Sequence, residues 1–317
     1  MVRMQERASD RPSHSRPFVF VAMGFVWVAL YIALIAPVFV FSALGGQWLG
    51  RVVWPGMSPL FHGISWIAGV LLITWLVRVK VNKASWSGMT LPWPQWLRLL
   101  LGAVAGFAVI VVVSGIEYWL GWLHLVGIDT GLHRGLSKTL WIALALAPSL
   151  AVGLAEELAF RGYIFQTFGE RMPVWAAGLL MSVLFAVLHF SLGGFSGAFV
   201  VSVIVVSLMF LALRFATGSL WFPIGFHGAW DWTQTYFVGL ATTGTPGYDP
   251  ALIQVRQTGP TFWVGYQQAT ESGLLFILIA LGLLVLALVY VSVSGKSPPW
   301  TKRLAEETSH PRPASAS

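Results

Sequence analysis

Two adjacent glutamates, Glu156 and Glu157, lie inside a run of Leu, Ala and Val, and Arg161 follows one helical turn later. Charged side chains are costly to bury in hydrocarbon unless they are paired or line a cavity, so in an apolar segment they indicate a functional site. Carboxylates held in such a place can take up and return protons during a reaction. We therefore expect acid–base chemistry at this position.

Few other ionisable residues share this setting. His189 and His227 are the histidines in the interior of apolar runs, whereas the dipeptide Glu306-Glu307 lies in a polar tail and carries no such implication. We assign no chemistry to Glu117, which is expected to face a polar crevice or the membrane interface at the end of its run. The acidic residues that fall within apolar runs are Glu117, Glu156, Glu157 and Asp231.

Helical spacing groups these residues. Side chains four positions apart share a helix face, and Glu156 points about 100° away from Glu157, outside the local charge pair. At about 1.5 Å per residue, the three helices concerned bring their polar residues to comparable depths. The sequence therefore predicts one mid-membrane chamber, with Glu157 structural and Glu156 reactive. The pairs at this spacing are Glu157 with Arg161, His227 with Asp231, and Phe185 with His189.

The composition is that of a membrane protein. Of the 317 residues, 56% are hydrophobic and 10% charged, and the mean hydropathy is +0.75, whereas soluble domains carry about a quarter charged residues. The absence of cysteine excludes disulfides, thiolate zinc sites and cysteine nucleophiles. The basic residues form no patch with interleaved aromatic residues, so nucleic acid is not an expected partner.

Apolar runs long enough to cross a bilayer, about 20 residues each, recur along the chain. They predict an all-α fold, a polytopic transmembrane helical bundle of about eight spanning helices. This is an integral, multi-pass protein of the lipid bilayer, and of the cell membrane if the source is bacterial. The runs are approximately 18–43, 60–77, 99–123, 140–168, 174–190, 195–215, 220–240 and 274–293.

Lysine and arginine orient these spans, because short cytoplasmic loops carry most of them. With the amino terminus inside, fifteen of the 19 lie on the cytoplasmic side, which predicts that both termini are cytoplasmic. We expect disordered tails at 1–17 and 296–317 around one transmembrane domain at 18–295, and the Gly- and Pro-rich loop 241–272 to cap the outer face. The four basic residues left outside are Arg51, Arg134, Lys138 and Arg256.

Three motifs in order carry a resemblance to a known family. They are Glu-Glu-x-x-x-Arg at 156–161, Phe-x-x-x-His at 185–189 and His-x-x-x-Asp at 227–231. Together they resemble the CAAX protease and bacteriocin-processing family, also called Abi proteins, over a motif core of about 140–240. The resemblance implies an eight-helix intramembrane endopeptidase related to the type II CAAX prenyl endopeptidases. Its substrate would be a membrane-associated peptide or lipidated protein, either CAAX-type prenylated or leader-bearing.

The resemblance also implies a role for each motif residue. Glu156 would be the general base that activates water, and His189 would help to hold that water. His227 and Asp231 would contact the scissile carbonyl or the developing oxyanion. The structural support of the site would come from Glu157, Arg161 and Phe185.

The third motif departs from the prenyl endopeptidases, which more often have Asn where this chain has Asp231. An ionised Asp cannot donate to an oxyanion, so Asp231 would be protonated, orient His227, or bind a metal. We favour a mechanism without a cofactor, because the His-Glu-x-x-His motif is absent. The alternative is a metal-dependent protease with one divalent metal, zinc by ligand type, on His189, His227, Asp231 and Glu156.

Other classes are weighed against this hypothesis. The string 194–197 matches the Gly-x-Ser-Gly of rhomboid-type serine proteases, but Ser196 falls at the outer start of its run and we interpret it as a turn residue. A proton-coupled transporter also places Glu, His and Arg at mid-membrane, although the sequence shows no two related halves. A non-catalytic immunity or transport protein of the same fold stays an alternative, which replacement of Glu156 by Gln would distinguish.

Overall fold

A computed structural model describes most of the chain. The expected tails, apart from Pro17 at the start of the first helix, lie outside the described residues, as does Ser196. The described residues are 17–53, 58–133, 136–190, 197–240, 251–265 and 270–295.

The described residues form a helical bundle with two small sheets. The helices are α1 Pro17–Val52, α2 Ser58–Trp75, α3 Trp96–Trp119, α4 Lys138–Glu157, α5 Phe165–Gly169, α6 Val174–Phe190, α7 Gly197–Thr217, α8 Trp221–Trp232, α9 Thr261–Val264 and α10 Leu274–Val293. Segments of π-helix extend α2 over Leu76–Val81, join α4 to α5 over Leu158–Ile164, and extend α8 over Thr233–Val238. Short 3₁₀ turns occupy Trp86–Met89 and Thr270–Ser272.

Each predicted apolar run coincides with a helix, because uninterrupted apolar sequence satisfies its backbone polar groups internally only as a helix. Runs 174–190 and 274–293 match α6 and α10 residue for residue. Within the described residues, six helices are long and apolar enough to cross a membrane, and Val174–His189 is a shorter apolar helix. The all-α, multi-pass prediction is confirmed, while the count of eight crossings and the cytoplasmic termini stay predictions.

Two small sheets lie between the helices. Strands β2, Leu132–His133, and β3, Leu136–Ser137, pair just before α4. Strand β1, Leu123–Ile128, follows α3 and pairs antiparallel with β4, Ile253–Gln257, within the loop expected to cap the outer face.

Glu117 corrects one expectation. The side chain faces neither a crevice nor the membrane interface, because it is completely buried. Its Oε2 accepts a hydrogen bond of 2.8 Å from Nε2 of Gln257 in β4. Glu117 thus ties the end of α3 to the β1–β4 sheet, a contact between residues far apart in sequence.

Glycines let α8 pack closely against α3. A Cβ on Gly102 would lie 2.0 Å from the carbonyl oxygen of Phe222, and one on Gly106 would lie 2.1 Å from that of Phe226. A Cβ on Gly225 would meet the carbonyl oxygen of Leu99 at 2.0 Å. Small residues four apart allow such backbone contact between membrane helices. The backbone of α8 is therefore fixed by positions that admit no larger residue.

Basic side chains are clustered at the end of the bundle away from the β1–β4 sheet. Arg78, at the end of α2, lies 2.5 Å from Glu170 after α5 and is almost fully buried. Arg214, near the end of α7, donates from Nε to Oγ1 of Thr90 at 2.7 Å. We call the end of the bundle marked by Arg78, Lys80, Arg98, Arg171 and Arg214 the basic end.

Candidate active site

The two adjacent glutamates face different surroundings, as their helical positions predict. Glu157, the last residue of α4, has no exposed side-chain surface, and its Oε1 accepts a 2.9 Å bond from Nη1 of Arg161. Arg161 is equally buried and lies in the π-helical segment Leu158–Ile164, a geometry often found at functional sites. Glu156 keeps 20% of its side-chain surface exposed. The buried glutamate is paired, and its neighbour is open to solvent.

A histidine from another helix completes the buried pair. Nδ1 of His227, in α8, lies 3.0 Å from the same Oε1 of Glu157. Arg161 lies against the rings of Phe185 and Phe210, with distances of 4.4 and 5.3 Å from its guanidinium carbon to the ring centroids. The ring of His227 stacks on Phe210 at 5.0 Å. The Glu157–Arg161 ion pair, the imidazole of His227 and the rings of Phe185 and Phe210 form one packed layer next to Glu156.

His189 is oriented by its own helix. Its Nδ1 lies 2.9 Å from the carbonyl oxygen of Phe185, one turn earlier in α6. A carbonyl oxygen only accepts, so Nδ1 carries the proton and Nε2 of the neutral ring is an acceptor. The His189 and Phe185 rings are in contact, with centroids 4.1 Å apart. The Phe-x-x-x-His motif thus aims Nε2 away from its helix and toward Glu156.

The residues of the three motifs meet around Glu156. Its Oε2 lies 3.8 Å from Nε2 of His189 and 3.9 Å from Nε2 of His227. Nε2 of His227 also lies 3.6 Å from Oδ2 of Asp231, one turn further along α8. These separations are too long for direct hydrogen bonds. Among the described residues, the carboxylate of Glu156 has no protein hydrogen-bond partner and is open to a bridging water.

A cavity of about 580 Å³ contains these four side chains. Its walls come from α1, α2, α4, α6, α7 and α8, and most of the lining is apolar. Phe185 and Phe210 form part of the lining beside the two imidazoles. A volume of this size admits water and a short peptide segment.

Glycines in α4 and α8 set the distance between the glutamates and His227. A Cβ on Gly228 would lie 2.7 Å from Cα of Leu150, and one on Gly153 would lie 2.9 Å from the backbone nitrogen of Gly228. Together with the α3 contacts, these positions hold α8 between two helices. The bond between His227 and Glu157 depends on this close packing.

The four candidate ligands do not have the spacing of a zinc site. Ligands of a tetrahedral zinc with bonds of about 2.0–2.1 Å lie about 3.3 Å from one another, and the polar atoms around Glu156 are 3.6 to 3.9 Å apart. Within the described residues, no group of three or more His, Asp or Glu side chains could hold a metal ion. We therefore derive no chemical step through a metal.

Some residues at the cavity were not predicted as site residues. Glu271, expected only in a loop, lines it and accepts a 2.9 Å hydrogen bond from Nε2 of Gln234. His62 lines it from α2 and contacts Oγ of Ser42 through Nδ1 at 3.1 Å. The glycines of α3 and α8 were also missed. The four-residue spacing of Gly102 and Gly106 in an apolar run is a signal that could have found them.

A comparison with known families agrees with this site. Residues 137–233 match the family model described as type II CAAX prenyl endopeptidase Rce1-like, and this span includes all three motifs. No curated protein and no solved structure gives a match to the chain.

The fold and the matched segment define a multi-pass membrane protein with a CAAX-type intramembrane protease domain. The matched family, the Rce1-like type II CAAX prenyl endopeptidases, consists of hydrolases acting on peptide bonds. The resemblance indicated by the motifs is confirmed.

Proposed function

We propose that the protein cleaves a membrane-associated peptide with a water molecule activated by Glu156. One observation carries the proposal: the Glu156 carboxylate faces the cavity, without a protein hydrogen bond from the described residues, between the Nε2 atoms of His189 and His227. A carboxylate with a free acceptor in a partly desolvated chamber is placed to take a proton from water.

In the proposed reaction, water attacks the scissile carbonyl carbon and its proton passes to Glu156. The carbonyl oxygen becomes the oxyanion of a tetrahedral intermediate. Glu156 then returns the proton to the leaving nitrogen as the oxyanion collapses and the C–N bond breaks, giving a carboxylic acid, which keeps the second proton of the water, and an amine. Proton and electron balance is complete without a co-reactant.

The two histidines have different roles in this scheme. Nε2 of His189 accepts a hydrogen bond from the attacking water, because Nδ1 donates to the carbonyl of Phe185. Nδ1 of His227 is held by Glu157, which leaves Nε2 beside Asp231 as the donor toward the oxyanion when the ring carries both protons. Glu157 acts through His227, as a carboxylate orients the histidine of a catalytic triad. It is a positioning residue.

The test is the variant Glu156→Gln, with Glu306→Gln as the matched control from the other Glu-Glu dipeptide. Two quenched fluorescent probes in detergent, a prenylated CAAX-type peptide and a hydrophobic leader-type peptide, report cleavage. We expect Glu156→Gln to lower the rate about 10²–10⁴-fold and Glu306→Gln to leave it unchanged. Cleavage of either probe by Glu156→Gln at the normal rate would overturn the proposal.

Adding a divalent-metal chelator to the same cleavage assay tests the metal-dependent alternative. We expect activity to survive a divalent-metal chelator. Loss of activity on chelation, with recovery on adding zinc, would favour the metal-dependent mechanism on the same residues.

A further inference from the structure

The cavity is closed at one end and open at the other. Glu157 and Arg161 have no exposed side-chain surface. The exposed fraction of the side chain is 12% for His227 and 31% for Asp231, which lies one turn further along α8. The lining continues past Asp231 to Thr235. Solvent therefore reaches the site from the carboxyl end of α8.

That mouth lies at the end of the bundle opposite the basic end. Helix α8 starts three residues after Gly218, which follows the end of α7 that carries Arg214, and it runs away from the basic end. The mouth also includes Gln47, near the carboxyl end of α1, and Ser58, the first residue of α2. Arg78 stands at the far end of α2, at the basic end. Helices α1, α2, α7 and α8 therefore all place the mouth of the cavity at the end of the bundle opposite the basic end.

The distribution of basic residues assigns a side of the membrane to each end. Among the described residues, six Lys and Arg side chains belong to the basic end (Arg78, Lys80, Lys83, Arg98, Arg171 and Arg214) and three lie toward the opposite end (Arg51, Lys138 and Arg256). Such an excess marks the cytoplasmic side. The opposite end, with the mouth, is then extracytoplasmic. Water and substrate would reach Glu156 from outside.

The charge of the cavity narrows the substrate class. Three carboxylates line it, those of Glu156, Asp231 and Glu271, and no Lys or Arg among the described residues does so. The three imidazoles in the lining, those of His62, His189 and His227, offset this negative charge only when they carry both ring protons. A negatively charged segment or a free terminal carboxylate would be repelled, and a neutral or basic segment would be attracted.

Resting on the proposed function above, we propose that the substrate is a peptide on the extracytoplasmic side of the membrane. It enters the cavity past Thr235 and presents a neutral or basic segment to Glu156. An exported, leader-bearing peptide has this chemistry, whereas a lipidated cytoplasmic carboxy terminus lies on the wrong side and brings a carboxylate into the cavity.

The absence of cysteine from the chain permits a direct test. Thr235→Cys and Gln47→Cys place a thiol in the mouth, and Trp93→Cys places one in the α2–α3 loop, where the side chain is 89% exposed. Spheroplasts are treated with a membrane-impermeant maleimide before and after permeabilisation. We expect the mouth thiols to react in intact spheroplasts and the Trp93→Cys thiol only after permeabilisation.

The reverse pattern would overturn the proposal. So would a Thr235→Cys thiol that reacts only after denaturation, since the mouth must be wet. Labelling needs no proteolysis, so this outcome is separate from failure of the Glu156→Gln test, which would remove the proposed function and leave the direction of the cavity intact.

The charge component is tested in the same assay. A hydrophobic peptide with lysines at both ends is compared with its counterpart with glutamates, each as a carboxamide. We expect the lysine peptide to slow labelling of Thr235→Cys to about one fifth of the rate, and the glutamate peptide to have little effect. Equal protection by both peptides would overturn the predicted charge preference.

Discussion

Nδ1 of His227 lies 3.0 Å from Oε1 of Glu157, the same oxygen that accepts a hydrogen bond from Arg161. The second glutamate of the dipeptide thus links an internal ion pair to an imidazole on another helix. This contact fixes which imidazole nitrogen faces Glu156. It gives different surroundings to two adjacent residues of the same type.

Replacing His227 by Asn distinguishes the roles of the two ring nitrogens. The Asn amide can keep a donor near the position of Nδ1, toward Glu157, but has no atom at Nε2. We expect His227→Asn to lower the cleavage rate about 100-fold with little change in thermal unfolding. His227→Gln removes the donor to Glu157 and should reduce stability by about 1–3 kcal/mol. Equal stability of the two variants would contradict this assignment.

The buried ion pair of Glu157 and Arg161 predicts that substitutions of its two members change the free energy of unfolding non-additively. Arg161→Met leaves the Glu157 carboxylate without its charge partner and should cost about 3–5 kcal/mol. The double variant Glu157→Leu, Arg161→Met should lose less than Arg161→Met alone, because no unpaired charge stays buried. Unfolding in detergent measures this cycle, and additive losses would argue against a coupled pair. Activity should stay low in the double variant, since His227 has lost its partner.

The close packing of α8 predicts a loss of activity from one added methyl group. Gly228→Ala would push Leu150 away from α8, and movement of the adjacent His227 by about 1 Å should lower the rate by roughly 10²-fold. Gly115→Ala on α3 is the control, because nothing lies within 4 Å of the added Cβ, and it should be neutral or stabilising by about 0.5–1 kcal/mol. Normal cleavage by Gly228→Ala would show that the packing is not critical.

Asp231→Asn tests how the third motif contacts the oxyanion. Aspartate donates only when protonated, and asparagine donates at any pH. If Asp231 is a donor, the rate of the native protein should fall as pH rises and Asp231 ionises, while the Asn variant should lack this fall. The measurement is the pH–rate profile of both proteins between pH 5 and 9, roughly the range in which they stay folded. Superimposed profiles would assign Asp231 to orienting His227 instead.

The helices were predictable because local sequence decides them. Apolar runs impose helix on the backbone, and 174–190 agrees with α6 at both ends. Helix α4 was less predictable, since the run 140–168 contains a π-helical segment at Leu158–Ile164. Hydropathy separates apolar spans from polar loops and does not distinguish α-helical from π-helical hydrogen bonding, so the predicted run carries no signal for this segment.

The candidate site was only partly predictable. Spacing within a helix gave the Glu157–Arg161 pair and the contact between His227 and Asp231. The bond between Glu157 and His227 spans 70 residues and depends on how α4 and α8 pack. The place of Glu271 at the cavity was missed for the same reason, because contacts between distant elements follow from tertiary packing.

The closed layer formed by Glu157, Arg161 and the two phenylalanines has a consequence for the whole cell. A water-filled hollow open at both faces would let protons leak down their gradient. The guanidinium–carboxylate pair and the rings of Phe185 and Phe210 close the end of the cavity opposite its mouth. We therefore expect the groups that orient the proposed hydrolytic site also to limit proton leakage across the bilayer.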